Sequence, residues 1–339
     1  MEKVRVGLAI LLFSLLVSIA LEPVPIGGAG QTEVRLSASL PWNIERIRAP
    51  QAWSITQGSP EIVVAVIDSG IDFSIPELAE VRWTNPKEIL NRRDDDGNGY
   101  VDDLYGWDFR DNVPAHLRRT SLYYHGTAVA AVIAAQAQKL VGVAPEVRLM
   151  DVRFLDSRGY FYQRDWKNLA RAIDYAVQNG ARIINLSFYS KLPPPKEVEE
   201  ALKRAWEKGV IVVTIAGNEG REGVNPLGRC PFVLAVAATD KSDRPASFSS
   251  FGPEVDLSAP GAEIPGFLPG GAVGSFSGTS FAAPHVSGTL ALILSANPRL
   301  SGKAAVEILL SSADRLPFGQ TGFGQGLVNA GCAVAQARP

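Results

Sequence analysis

Residues 61–70 read Glu-Ile-Val-Val-Ala-Val-Ile-Asp-Ser-Gly. A short apolar run rich in β-branched residues, closed by Asp-Ser-Gly, predicts a strand buried on both faces that opens into a tight turn. Four later stretches read the same way: Val147–Phe154, Arg182–Leu186, Val210–Ile215 and Phe232–Ala237. Between them lie amphipathic helical patterns. Trp166, Leu169, Ala170, Ile173, Ala176 and Val177 share one helical face, with Asp165 placed to cap its start and Gly180 just past its end. Val198, Ala201, Leu202, Ala205 and Trp206 repeat the pattern, and Gly209 stops it. Strands alternating with helices imply an α/β fold: a mostly parallel sheet with helices on both faces.

The chain of 339 residues is nearly half apolar and one fifth charged, and its formal net charge is −2. That composition suits a globular protein with a sizeable core. No basic stripe calls for nucleic acid or an anionic membrane surface. The first residues differ from the rest. Lys3 and Arg5 precede an uncharged apolar run, Val6 to Leu21, with Ser18 and Ala20 near its end. This is the pattern of a secretory signal peptide, residues 1–20, with cleavage after Ala20 or, as the alternative, after Gly30. The run is short for a membrane span, so an uncleaved anchor is the lesser reading and the one route to a membrane. Residues 21–40, rich in Gly, Pro and Ser, form a lead-in, and one domain is expected over 41–339.

Three short motifs carry chemistry. Val66-Ile67-Asp68-Ser69-Gly70 puts a carboxylate at the end of a buried strand. His125-Gly126-Thr127-Ala128 puts a histidine at the start of a small-residue helix. Gly278-Thr279-Ser280-Phe281-Ala282-Ala283-Pro284 puts a serine at the start of an apolar helix, where a proline does least harm. Each alone fits a cap, a core histidine or a turn. Together, in the order Asp–His–Ser, they fit an orienting acid, a general base and a nucleophile.

With these motifs the chain resembles the subtilisin-like serine proteases, from about Pro41 to Val334. Further matching segments are Gly142-Val143-Ala144-Pro145, Ile183-Ile184-Asn185-Leu186-Ser187, Ala216-Gly217-Asn218-Glu219, Phe248-Ser249-Ser250-Phe251-Gly252 and Gly326-Leu327-Val328-Asn329-Ala330. The resemblance implies the subtilisin-like three-layer fold and a secreted, monomeric endopeptidase acting on extended polypeptides. Ser280 would be the nucleophile, His125 the base, Asp68 its orienting acid, and Asn218 an oxyanion donor beside the backbone N–H of Ser280. It also implies that Ser187, Phe188 and Tyr189 face an opposing strand, Gly159-Tyr160-Phe161, across the peptide cleft, with Gly217 nearby. His285 takes a structural role, and His116, in a charged loop, is expected to be solvated.

The chain departs from the family's usual pattern in several places. Phe281 stands where Met commonly follows the nucleophile, which removes an oxidisable thioether. Phe188-Tyr189 stands where the family usually has Leu-Gly or similar, and Gly159-Tyr160-Phe161 is bulkier than the family's usual small residues, so Tyr189 either narrows the primary side-chain pocket or turns its ring to solvent. Only the short lead-in precedes the domain. Either the domain folds without a chaperone-like propeptide, or Leu21–Leu40 is a shortened one. Ile75 replaces a common His.

Asp94-Asp95-Asp96-Gly97-Asn98-Gly99-Tyr100-Val101-Asp102-Asp103 packs five aspartates into ten residues. Oxygens at alternate positions with a sharp glycine turn suit a structural Ca²⁺, with Asp94, Asp96, Asn98, the Tyr100 carbonyl and Asp102 as candidate ligands. The twelfth position, Tyr105, is not the Glu of an EF-hand loop. Cys230 and Cys332 permit either a disulfide or two free thiols. No organic cofactor motif occurs. A peptide-binding relative without activity is the main rival reading. An esterase would need a G-x-S-x-G elbow and the order Ser–Asp–His, and has neither here.

Overall fold

The computed structural model describes residues 40–118, 122–136, 139–317 and 321–338. The expected signal peptide and all of the lead-in except Leu40 lie outside the described residues. Ten strands and nine α-helices follow one another among the described residues. Helices α1 (Trp42–Arg46) and α2 (Ala49–Trp53) precede β1 (Val63–Asp68), the strand expected from residues 61–70, and α3 (Pro76–Ala79) follows it. Next come β2 (Gly106–Asp108), β3 (Val113–Pro114), α4 (Tyr124–Ala134), β4 (Arg148–Arg153), α5 (Trp166–Gln178), β5 (Ile183–Leu186) and α6 (Lys196–Glu207). The chain continues through β6 (Ile211–Ile215), β7 (Val233–Thr239), β8 (Leu257–Pro260), β9 (Ile264–Phe267), β10 (Val273–Phe276), α7 (Thr279–Ala296), α8 (Gly302–Ser311) and α9 (Ala330–Ala337).

Eight strands form one sheet in the order β3-β2-β4-β1-β5-β6-β7-β8, and β9 pairs with β10 in a separate ribbon. Within the large sheet every pair is parallel except β2 with β3. The reason lies in the strand sequences. Val64 and Val66 join the core on one face, while Val63, Ala65 and Ile67 join the core on the other. Ile211, Val213 and Ile215 alternate with Val210 and Val212 in the same way. Strands apolar on both sides need helices on both sides. Helices α4, α7, α8 and α9 cover the first face; α5 and α6 cover the second. Ile67 is fully buried, so Ile67→Ala would cost about 2–5 kcal/mol.

The two helix types match their places. Helices α5 and α6 bury one stripe each, whereas α7 is buried from Thr279 to Leu294 and apolar nearly all round. Asp165 does sit at the α5 N-cap position, but its side chain does not cap that helix. Its Oδ2 instead accepts the Tyr162 N–H at 2.8 Å and an Arg110 hydrogen bond at 2.6 Å. Cys230 and Cys332 are both free thiols, which removes the disulfide alternative. Among the described residues no helix is long and apolar enough to cross a membrane.

Strand β1 sits between β4 and β5, so the chain has built outward on both sides of it. Crevices in open parallel sheets form beyond the strand C-termini at such a switch point. Asp68 is the last residue of β1.

Candidate active site

Asp68 is fully buried at the end of β1. Its backbone carbonyl accepts the N–H groups of Phe154 and Leu155, which fix the strand end. Its Oδ1 accepts the Ser69 N–H at 2.7 Å. His125, in the first turn of α4, points Nδ1 at both carboxylate oxygens, at 2.9 and 3.0 Å. A carboxylate only accepts, so Nδ1 carries the proton and Nε2 is left as the acceptor.

Ser69 ties the two elements together. Its hydroxyl donates to the Tyr123 carbonyl and accepts the Gly126 N–H, both at 2.9 Å. The approach is so close that a Cβ on Gly126 would lie 2.5 Å from the Gly70 carbonyl oxygen and 3.2 Å from Asp68 Oδ1. Glycine at 126 is therefore a geometric condition for the Asp68–His125 pair.

Ser280 is the second residue of α7. Its Oγ donates to the Ser187 carbonyl at 3.0 Å. Among the described residues no hydrogen bond joins it to His125. Pro284 explains the other half of this contact. Proline has no N–H to give the carbonyl four residues earlier, that of Ser280. The Ser187 hydroxyl supplies the missing donor at 2.9 Å. Behind it Asn185 Nδ2 donates to Ser187 Oγ, and the Ser287 hydroxyl donates to Asn185 Oδ1, each at 2.8 Å. Each link in this row is buried, which makes a missing partner costly.

Asn218 lies beside the same turn. Its Oδ1 accepts both the N–H and the hydroxyl of Thr279 at 2.8 Å. That anchoring occupies Oδ1 and leaves Nδ2, a pair of donors, off the bonds to Thr279. Gly278 has φ +155°, and a Cβ there would lie 3.5 Å from Asn218 Nδ2.

His125 and Ser280 open onto one cavity of about 810 Å³. One wall is Ser187–Leu192, the unpaired continuation of β5, held by Asn225. The buried Asn225 takes the Ser190 N–H on Oδ1 and donates Nδ2 to the Phe188 carbonyl, both at 3.1 Å. The facing wall, expected as a strand at Gly159-Tyr160-Phe161, is a turn. Gly159 has φ +80°, and Asp156 Oδ1 accepts the N–H groups of Arg158 and Tyr160 at 2.9 and 3.0 Å. Tyr160 is 62% exposed, while Phe161 faces inward against Phe154, Trp166 and Phe188. Gly217 is buried and does not line this cavity; Tyr189 stands in front of it.

Phe281 is buried, with its ring 5.6 Å from the His125 ring. His285 is fully buried, with Nδ1–H on the Phe281 carbonyl and Nε2 accepting from Asn43 Nδ2, each at 2.8 Å. Its role is structural, and burial pushes its pKa down to about 4. His116 is exposed, in a 3-10 turn.

In the acidic loop, Glu88, Asp94 and Asp96 bring carboxylate oxygens within 4.8 Å of one another. Glu88 is buried. Its Oε1 accepts the Asp95 and Asp96 N–H groups, while its Oε2 has no hydrogen-bond partner. Burial raises the Glu88 pKa, and the Asp103 and Asp96 charges add to that. Of the other expected ligands, Asn98 uses Oδ1 on the Tyr100 N–H, and the Tyr100 ring packs on Trp107, Phe109 and Tyr175. Asp102 Oδ1 is taken by the Asn91 and Arg92 N–H groups, both at 2.9 Å. Glu88, six residues before the aspartate run begins, is the member that sequence reading missed.

A doubly wound sheet with a buried carboxylate, a histidine on it and a helix-opening serine, the last two sharing one cavity, defines a hydrolase of the serine type. The pattern of the subtilase family (Peptidase_S8) matches residues 59–328. Thermitase of Thermoactinomyces vulgaris is 34% identical over 291 residues, 86% of this chain and 94% of that protein. Subtilisin E of Bacillus subtilis (strain 168) is 35% identical over 302 residues, 87% of this chain and 71% of that protein. The solved structure of the prenylagaramide maturation protease PagA superposes with a TM-score of 0.70 at 29% identity, covering 86% of this chain and 99% of that one. The chain belongs to the subtilase family and is a subtilisin-like serine endopeptidase.

Proposed function

We propose that this protein is an exported endopeptidase that cuts extended polypeptides through an acyl-enzyme, with Asp68, His125 and Ser280 as its triad. The observation that carries this reading is His125 itself. Nδ1 is fixed on a fully buried carboxylate at 2.9 Å, and the ring shares one cavity with Ser280. Ser280 Oγ swings from the Ser187 carbonyl to His125 Nε2, gives up its proton there and attacks the scissile carbonyl. The imidazolium, stabilised by Asp68, then protonates the leaving amine. Water repeats the sequence on the acyl-enzyme. Asn218 Nδ2 and the Ser280 N–H take the oxyanion, helped by the positive end of α7. The Ser187–Tyr189 backbone, which continues β5 without pairing to a neighbouring strand, suits a substrate bound as an added strand.

Export rests on the charged-then-apolar pattern of residues 1–20. A structural Ca²⁺ is proposed at Glu88, Asp94 and Asp96. Three converging carboxylates, one oxygen of them buried without a partner, fit a hard cation, which would neutralise their repulsion and fasten the loop. The test is hydrolysis of casein by the protein with calcium, beside a folded Ser280→Ala variant. Activity in the first and none in the second is expected. Activity retained by the variant would refute the assignment of the nucleophile.

A further inference from the structure

This inference rests on the peptidase reading and concerns which bonds are cut. The carbonyl under attack must lie between Ser280 Oγ and Asn218 Nδ2. Ser280 Oγ is bonded to the Ser187 carbonyl, and Asn218 directly follows Gly217, so the side chain of the residue that owns this carbonyl meets Ser187–Tyr189 on one side and Gly217 on the other. The Tyr189 ring reaches Gly217. A Cβ built on Gly217 would lie 3.5 Å from Tyr189 Cε2, an ordinary van der Waals contact. The Tyr189 hydroxyl goes on to donate to Glu219 Oε1 at 3.1 Å. The ring thus spans from the end of β5 to the segment that follows β6. Tyr189 lines the cavity that holds His125 and Ser280, whereas none of the residues 216–219 does. The other Glu219 oxygen is engaged by the Arg221 guanidinium. Its charge is already compensated, so it does not offer a counter-ion to a basic substrate side chain.

We infer that Tyr189, latched by Glu219, is a specificity-determining residue that fills the acyl-side pocket and restricts cleavage to bonds after small residues such as Gly, Ala and Ser. A larger side chain would have to displace the ring and break the latch.

The test compares two peptide p-nitroanilides that differ only in Ala or Phe at the acyl residue, with kcat/KM measured for wild type, Tyr189→Ala and Glu219→Ala. Wild type should favour Ala. Tyr189→Ala should raise the Phe-to-Ala ratio by roughly 10- to 200-fold, the range set by filling or emptying an apolar pocket. Glu219→Ala alters an exposed side chain, so it keeps the test open if the Tyr189 variant does not fold, and it should move the ratio the same way by less. A wild type that favours Phe, or an unchanged ratio in the variants, would overturn the inference while leaving the peptidase reading intact. No Ser280-dependent hydrolysis of either peptide or of casein would overturn both.

Discussion

Ser187 and Ser280 exchange two hydrogen bonds: the Ser187 hydroxyl donates to the Ser280 carbonyl at 2.9 Å, and the Ser280 hydroxyl donates to the Ser187 carbonyl at 3.0 Å. The first bond repairs the gap that Pro284 leaves in α7. The second holds the hydroxyl ready beside the cavity. Ser187→Ala leaves a buried carbonyl unpaired and should cost about 1–3 kcal/mol of stability. Calorimetry of the variant should show a lower Tm, and kcat should fall with it because the first turn of α7 loosens. An unchanged Tm would contradict the reading of Ser187 as the replacement donor.

Asn218 is held by Thr279 through two bonds to one oxygen, which leaves both of its N–H groups for the oxyanion role proposed above. Loss of one such oxyanion donor costs about 100- to 1,000-fold in turnover in a subtilisin. Asn218→Leu should show that drop in kcat with little change in KM, because the bond forms mainly in the transition state. Thr279→Val removes one of the two anchors and should lower kcat by a smaller factor. A loss confined to KM in Asn218→Leu would place the residue in ground-state binding instead.

His285 makes folding depend on pH. Burial holds its pKa down to about 4 in the folded protein, against about 6.5 in an unfolded chain. As the pH falls through that window the unfolded chain takes up the proton first. The stability is complete above about pH 6.5, declines on acidification, and levels off below the folded pKa at a loss of about 3 kcal/mol. Melting curves between those limits, recorded in a Ser280→Ala background to stop autolysis, should show a shallower slope for His285→Gln. Equal slopes would remove His285 as the cause.

The Glu88, Asp94 and Asp96 cluster predicts that calcium stabilises the fold. At free calcium about 100 times Kd the gain is about 2.7 kcal/mol. A chelator should therefore lower the Tm of the wild type, and Glu88→Gln should shrink that shift. The same chelator shift in both proteins would move the cation elsewhere.

Where local pattern sufficed, the sequence was legible. The apolar run before Asp68 is a central strand because both of its faces are apolar, and the Gly-Thr-Ser turn opens a buried helix because apolar residues follow on every side. The helix of Trp166 and Leu169 follows equally from its single stripe. Long-range partners were not legible. Nothing near Ser69 marks it as the clip on Gly126, 57 residues away. Glu88 is near the aspartate run in sequence, but the buried oxygen that turns it into the cluster depends on the fold. The Gly159–Phe161 wall was misread because an aspartate-held turn and an edge strand can share a short sequence. Asp165 holds the expected N-cap position, but its carboxylate goes to the Tyr162 N–H and to Arg110, 55 residues upstream, instead of capping α5.

The account stands on His125 activating Ser280 while Asp68 orients it, and covalent labelling tests that directly. The native protein would be treated with a fluorophosphonate and mapped by peptide mass spectrometry, beside His125→Ala and Asp68→Asn. A single adduct on Ser280, formed far more slowly in both variants, is the predicted result. An adduct on another residue, or labelling of Ser280 at an undiminished rate without His125, would contradict the account.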